Sequence, residues 1–92
     1  MTDEISKMLT LSTAHIKAAT SSDMEVQVDG LPVFFAKDDY GWFVHVPTLE
    51  EMPPNCPDDL EGVLAYARGL GCGWLCLDRD GDVNPNLPTW EW

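Results

Sequence analysis

Metal or nucleophilic chemistry in this chain would rest on two histidines and three cysteines. His15, His45, Cys56, Cys72 and Cys76 are zinc-ligand types, but their spacing is wrong. There is no Cys-x-x-Cys, and no histidine pair lies three to five residues apart. The expectation is therefore no metal and no cofactor. A catalytic Cys–His pair needs a thiol activated by positive surroundings. Here the surroundings are acidic, and Cys72 and Cys76 fall in an apolar run. The odd cysteine count argues against a disulfide framework. In a strand, Cys72 and Cys76 would lie about 13 Å apart, beyond the reach of a disulfide. Buried free thiols are the expectation.

Asp78-Arg-Asp-Gly-Asp82 resembles a calcium loop only at first sight. An EF-hand loop opening at Asp78 needs glycine where Val83 stands and glutamate where Thr89 stands. A turn rich in aspartate is the better account. The same turn supports an alternative reading, a small enzyme or ligand-binding domain whose site gathers Asp78, Arg79, Asp80 and His15. That reading needs a concave hollow with converging polar groups. Paired carboxylates are easy to find among sixteen acids and carry no weight for hydrolysis. The tryptophans and Phe43, at strand spacing, fit a core better than a ligand platform. No motif names a reaction, and the chain reads as non-enzymatic.

Charge is the strongest global signal. Sixteen acids against five lysines and arginines give a net charge of −11. Such a surface repels DNA, RNA and anionic membranes, and attracts basic protein surfaces. The imbalance is also local. Between Asp38 and Ala67 there are seven acids (Asp38, Asp39, Glu50, Glu51, Asp58, Asp59 and Glu61) and no lysine or arginine. Carboxylates spaced over a rigid scaffold can imitate nucleic-acid phosphates. These seven are the candidate partner-binding residues. The expected partner is a basic surface of a host protein or nucleoprotein complex, without direct contact to nucleic acid or membrane. The bland reading is a merely soluble acidic protein.

The clearest element is a helix from Pro57 to about Leu70. Leu60, Val63, Leu64, Ala67 and Leu70 make one apolar stripe, with Asp58, Asp59, Glu61 and Arg68 mainly off it. Proline suits the start, acids favour the first turn and Arg68 the last. Gly69 and Gly71 suit the end. Cys72 to Leu77 then reads as an interior strand, apolar on both faces. Cys72, Trp74 and Cys76 point one way and Leu75 and Leu77 the other.

Earlier in the chain, Met8 to Leu11 reads as a strand. A weakly striped helix follows from Thr13 to about Ser22. Met24, Val26 and Val28 alternate like a strand, with Asp29-Gly30 as a turn signal, although the helix could run on to Met24. Leu31 to Ala36 and Trp42 to Val46 read as a strand pair around a turn at Asp38-Asp-Tyr-Gly41. Pro32 marks a strand start or an edge. Trp42, Val44 and Val46 share a face opposite Phe43 and His45. Pro47 to Pro57 is an irregular connection. Pro85 and Pro88 exclude a terminal helix, and Leu87, Trp90 and Trp92 are expected to fold back over the core.

The order strand–helix–strand–strand–helix–strand defines an α+β domain: a small, mainly antiparallel sheet with two helices on one face. A ferredoxin-like split βαβ satisfies it. Ninety-two residues make one domain, with residues 1–7 expected to fray. No apolar run approaches the roughly 18 residues of a membrane span. The N-terminus has no apolar signal core, so a cytoplasmic protein is expected.

Four segments carry a resemblance: Leu11-Ser-Thr-Ala-His-Ile16, Tyr40-Gly-Trp-Phe-Val44, Gly71-Cys-Gly-Trp-Leu-Cys-Leu-Asp-Arg-Asp-Gly81 and Leu87-Pro-Thr-Trp90. In this order they resemble a family of small bacterial, plasmid and phage proteins known only as a domain of unknown function. The resemblance implies a compact α+β domain of mobile-element origin and no particular activity. In charge and size alone, the chain is also similar to phage inhibitors of host defence, such as anti-CRISPR and anti-restriction proteins that act as DNA mimics.

Overall fold

A computed structural model describes residues 7–27, 31–37 and 41–91. It is an α+β domain with a four-stranded mixed sheet and two α-helices. The strands are β1 (Met8–Ser12), β2 (Phe34–Lys37), β3 (Gly41–His45) and β4 (Trp74–Asp78). The helices are α1 (Ala18–Glu25) and α2 (Asp58–Gly69).

The sheet order is β1-β4-β3-β2. β4 pairs parallel with β1, Leu9 opposite Leu75 and Leu11 opposite Leu77. It pairs antiparallel with β3, Trp42 opposite Leu77 and Val44 opposite Leu75. β2 closes the other edge against β3. The expected interior strand is therefore β4, and the strand after Pro32 lies at an edge. This is not the ferredoxin-like split, where one strand separates two parallel partners. Here β4 and β3 together separate β1 from β2, and α2 joins antiparallel neighbours.

The strand register decides the layers. Leu9, Leu11, Leu75, Leu77, Val44, Trp42 and Phe34 share one face, and all belong to or border the core. Leu60, Val63, Leu64 and Ala67 of α2 bury into that face, as Ile16 and Met24 do from the α1 side. The opposite face carries Phe35, Phe43, His45, Trp74 and Cys76. Its rings pack among themselves, Trp74 lying 6.1 Å from Phe35 and 5.4 Å from His45. Phe35 stays 59% exposed.

α2 follows its sequence signals closely. Pro57 is the N-cap, Asp58, Asp59 and Glu61 fill the first turn, and Arg68 the last. Leu70 leaves the stripe: it is the C-cap residue and is exposed. Gly71 takes the left-handed conformation, φ 78°, after which Cys72 N–H returns to the Ala67 carbonyl. At Gly41 any Cβ would collide with the Leu77 carbonyl, so only glycine lets β3 begin so close to β4.

The first helical segment differs from the expectation. Thr13–His15 forms a single 3-10 turn, capped by Ser12 Oγ accepting from the Ala14 N–H at 3.1 Å. The chain extends at Ile16, and α1 then runs through Met24 to Glu25. Met24 and Glu25 are thus helical, not the start of a strand. Met24 spends its apolar side chain on the core, at 1% exposure, where helical spacing also places Thr20 and Ser21. Residues 1–6, 28–30, 38–40 and 92, with all but Lys7 of the end expected to fray, both turns, and the Trp92 expected to fold back, lie outside the described residues.

The tail has no strand among its described residues. It is held by His15. The buried imidazole donates from Nδ1 to the Pro88 carbonyl at 2.8 Å, and its Nε2 accepts from the Asn84 N–H at 2.8 Å. Trp90 N–H donates to the Ala14 carbonyl, and Leu87 packs against the core.

Candidate functional site

The acidic stretch divides into three groups. Glu50, Glu51, Asp58 and Glu61 are exposed. Glu51 closes a turn: Thr48 donates its N–H and hydroxyl to Glu51 Oε1, and the Glu51 N–H returns to Thr48 Oγ1. Asp38 and Asp39 lie outside the described residues.

Asp59 is a correction to the sequence reading. It is only 8% exposed. Its Oδ2 accepts from the Lys17 N–H at 2.7 Å and its Oδ1 from the Thr20 hydroxyl at 2.9 Å. Lys17 is the N-cap residue of α1 and makes no side-chain cap of its own. Asp59 therefore caps α1 from the neighbouring helix, and its charge opposes the positive end of the α1 dipole. A carboxylate spent in this way is withdrawn from any docking surface. No local signal marks this role, because both partners lie far away in sequence.

Asp59 and its exposed neighbours Asp58 and Glu61 still shape their surroundings. Burial, then the charges of Glu61, Asp59 and Asp58, push the Cys56 thiol up to about 11. This thiol is not activated. Cys76 is buried too, and Cys72 is half-buried. Both nitrogens of His15 are engaged in holding the tail, so His15 is a structural residue and leaves the alternative site. Within the aspartate turn, Asp78 Oδ1 accepts from the Asp80 N–H at 2.9 Å, and the Asp78 carbonyl accepts from Gly81 N–H. These bonds close the turn after β4. Among the described residues, no three His, Cys, Asp or Glu side chains are grouped to hold a metal ion.

What the residue types did not reveal is a hollow of about 830 Å³. The strands supply Phe34, Phe35, Ala36, Gly41 and Trp42 to it. α1 and the residue pair after it supply Ser21, Met24, Glu25 and Gln27, while Arg79 and Trp90 complete the lining beside the Ser12–Ala14 turn. The hollow lies where α1, which buries only Thr20, Ser21 and Met24, faces the strands. Phe34 and Trp42 meet edge to face, with centroids 5.6 Å apart. The hollow thus reaches Arg79, as the alternative reading requires, but misses His15, Asp78 and Asp80. One sequence signal pointed to it: the weak apolar stripe of the first helix, too sparse to seal a sheet face.

No curated protein and no solved structure matches the chain. A family model does, described as the C-terminal domain of a family of unknown function (DUF5983), and it covers residues 8–92. That span contains every strand, both helices and the hollow, and it agrees with the four-segment resemblance. The chain belongs to this family of unknown function.

Proposed function

We propose that the chain is a non-enzymatic binding protein that docks its acidic stretch on a basic partner. The observation that carries this reading is the exposure of Glu50, Glu51, Asp58 and Glu61 within a stretch free of lysine and arginine, on a chain of net charge −11. Its most concrete form is an anti-CRISPR-like inhibitor of a host nucleic-acid-binding defence complex, with carboxylates standing where the partner expects phosphates. Opposite charge would make association fast and salt-sensitive. The test is capture from host lysate at low and high salt, with wild type beside the E50Q/E51Q/D58N/E61Q variant. Asp59 is left intact in it because the fold uses it. The reading expects a partner held at low salt, released at high salt and lost by the variant. A partner retained equally by the variant removes these acids from the interface.

The hollow favours a second reading, a ligand-binding domain. Its volume of about 830 Å³ lies within the roughly 300–1,000 Å³ range of small-molecule sites. Its lining mixes aromatic walls with a few polar groups, the usual composition of such sites. Ligand-dependent displacement of the Trp42 indole N–H resonance tests it directly.

A further inference from the structure

Resting on the reading that the hollow takes a ligand, we propose that the ligand is an arylalkylamine: a flat aromatic ring bearing an aliphatic amine that is protonated at neutral pH. Three observations converge on this class. The strand side offers a corner of rings, Phe34 against Trp42, and flat apolar surface is best matched by a flat ring. The helix side contributes Glu25 and Ser21 to the lining, residue types whose carboxylate and hydroxyl suit a hydrogen-bonding cation. The whole chain, at −11, draws cations towards it and turns anions away.

Two native cations approach the hollow, and both are already engaged. Arg79, on the lining, has an interaction within the chain. Lys17 holds its ammonium 5.5 Å from the centroid of the Trp90 ring. This second contact shows the recognition chemistry in use: an ammonium over the indole of a residue that lines the same hollow. A bound amine would repeat it on Trp42, with Glu25 as counter-charge.

The experiment uses probes that share one flat aromatic body and differ in the charge of the head group: naphthalen-2-ylmethylamine, naphthalen-2-ylmethanol and naphthalene-2-carboxylate. Binding is read from the Trp42 indole N–H and the Met24 methyl resonances of the full chain. The amine is expected to saturate both signals, about tenfold tighter than the alcohol, the scale of a cation–π contact plus a partly screened charge. The carboxylate is expected to bind weakest. E25Q should remove most of the amine's advantage and leave the alcohol unchanged. S21F and A36F, filling the hollow from opposite walls, should abolish all three; a variant that loses native spectral dispersion is replaced by the other. Equal affinity for amine and alcohol overturns the cation assignment while the ligand-binding reading survives. Failure of all three probes to saturate overturns both.

Discussion

One sheet face is covered in two different ways. Over β1 and β4, α2 presses Leu60, Val63, Leu64 and Ala67 onto Leu75 and Leu77, and all six are at most 2% exposed. Over β2 and β3, the hollow lies between the same face and α1, and Phe34 and Trp42 remain half-buried beside it. The composition of the two helices explains the difference. α2 carries a complete apolar stripe, whereas α1 (Ala-Ala-Thr-Ser-Ser-Asp-Met-Glu) buries only Thr20, Ser21 and Met24. A helix without a stripe cannot be held by hydrophobic burial alone. α1 is held by Asp59, a polar tether at one end. The tight half stabilises the domain, and the loose half leaves room for a guest.

The comparison would be broken most readily by truncation. Leu64→Ala, in the tight half, is expected to lower unfolding free energy in urea by about 2–5 kcal/mol. Met24→Ala, bordering existing empty space, should lose distinctly less. Equal losses would mean that the two halves are packed alike. Next in size comes Asp59→Asn, which weakens two charge-assisted hydrogen bonds and is expected to cost about 1.5–3 kcal/mol. Amide exchange should quicken in α1 but not in α2. Uniform acceleration along the chain would deny the tether. Enlargement sharpens the contrast further. Ala67→Leu should destabilise by about 1–3 kcal/mol through overpacking, whereas Ser21→Leu, facing the hollow, should be neutral or mildly stabilising in the same denaturation assay.

A further expected effect concerns pH. The Cys56 thiol titrates near 11 in the folded chain against 9.0 for an unperturbed thiol. The folded state therefore retains a proton that the unfolded state gives up. Stability is fully present below about 9 and declines as pH rises from 9.0 towards 11. Cys56→Ala should flatten this part of the thermal-melting profile.

Much of the tight half was legible in the sequence. The i, i+3, i+4 spacing from Leu60, the proline and acids before it, the glycines after it and the apolar run at Trp74–Leu77 are local signals, and each agrees with the others. Leu70 shows where periodicity stops being informative, since the helix has already ended there. The loose half was less legible because its determinants are distant. The cap of α1 comes from Asp59, so Thr13 to Ser22 could not show where that helix begins. The alternation of Met24 with Val26 suggested a strand because helical burial of one methionine leaves no period to read. Asp59 itself lies just outside the apolar stripe, and only the position of Lys17 and Thr20 explains its burial. The parallel pairing of β1 with β4 is equally non-local, as is an unfilled space between layers.

That last pairing has a consequence for synthesis. Among the described residues β1 pairs with β4 and with no other strand, and the 3-10 turn that follows it is clasped by Asn84, Pro88 and Trp90 through His15 and Ala14. During synthesis β1 emerges before β2, β3 and α2, and must wait for β4 before it finds its partner. Closure of the sheet on its β1 side is therefore a long-range event, governed by contacts distant in sequence.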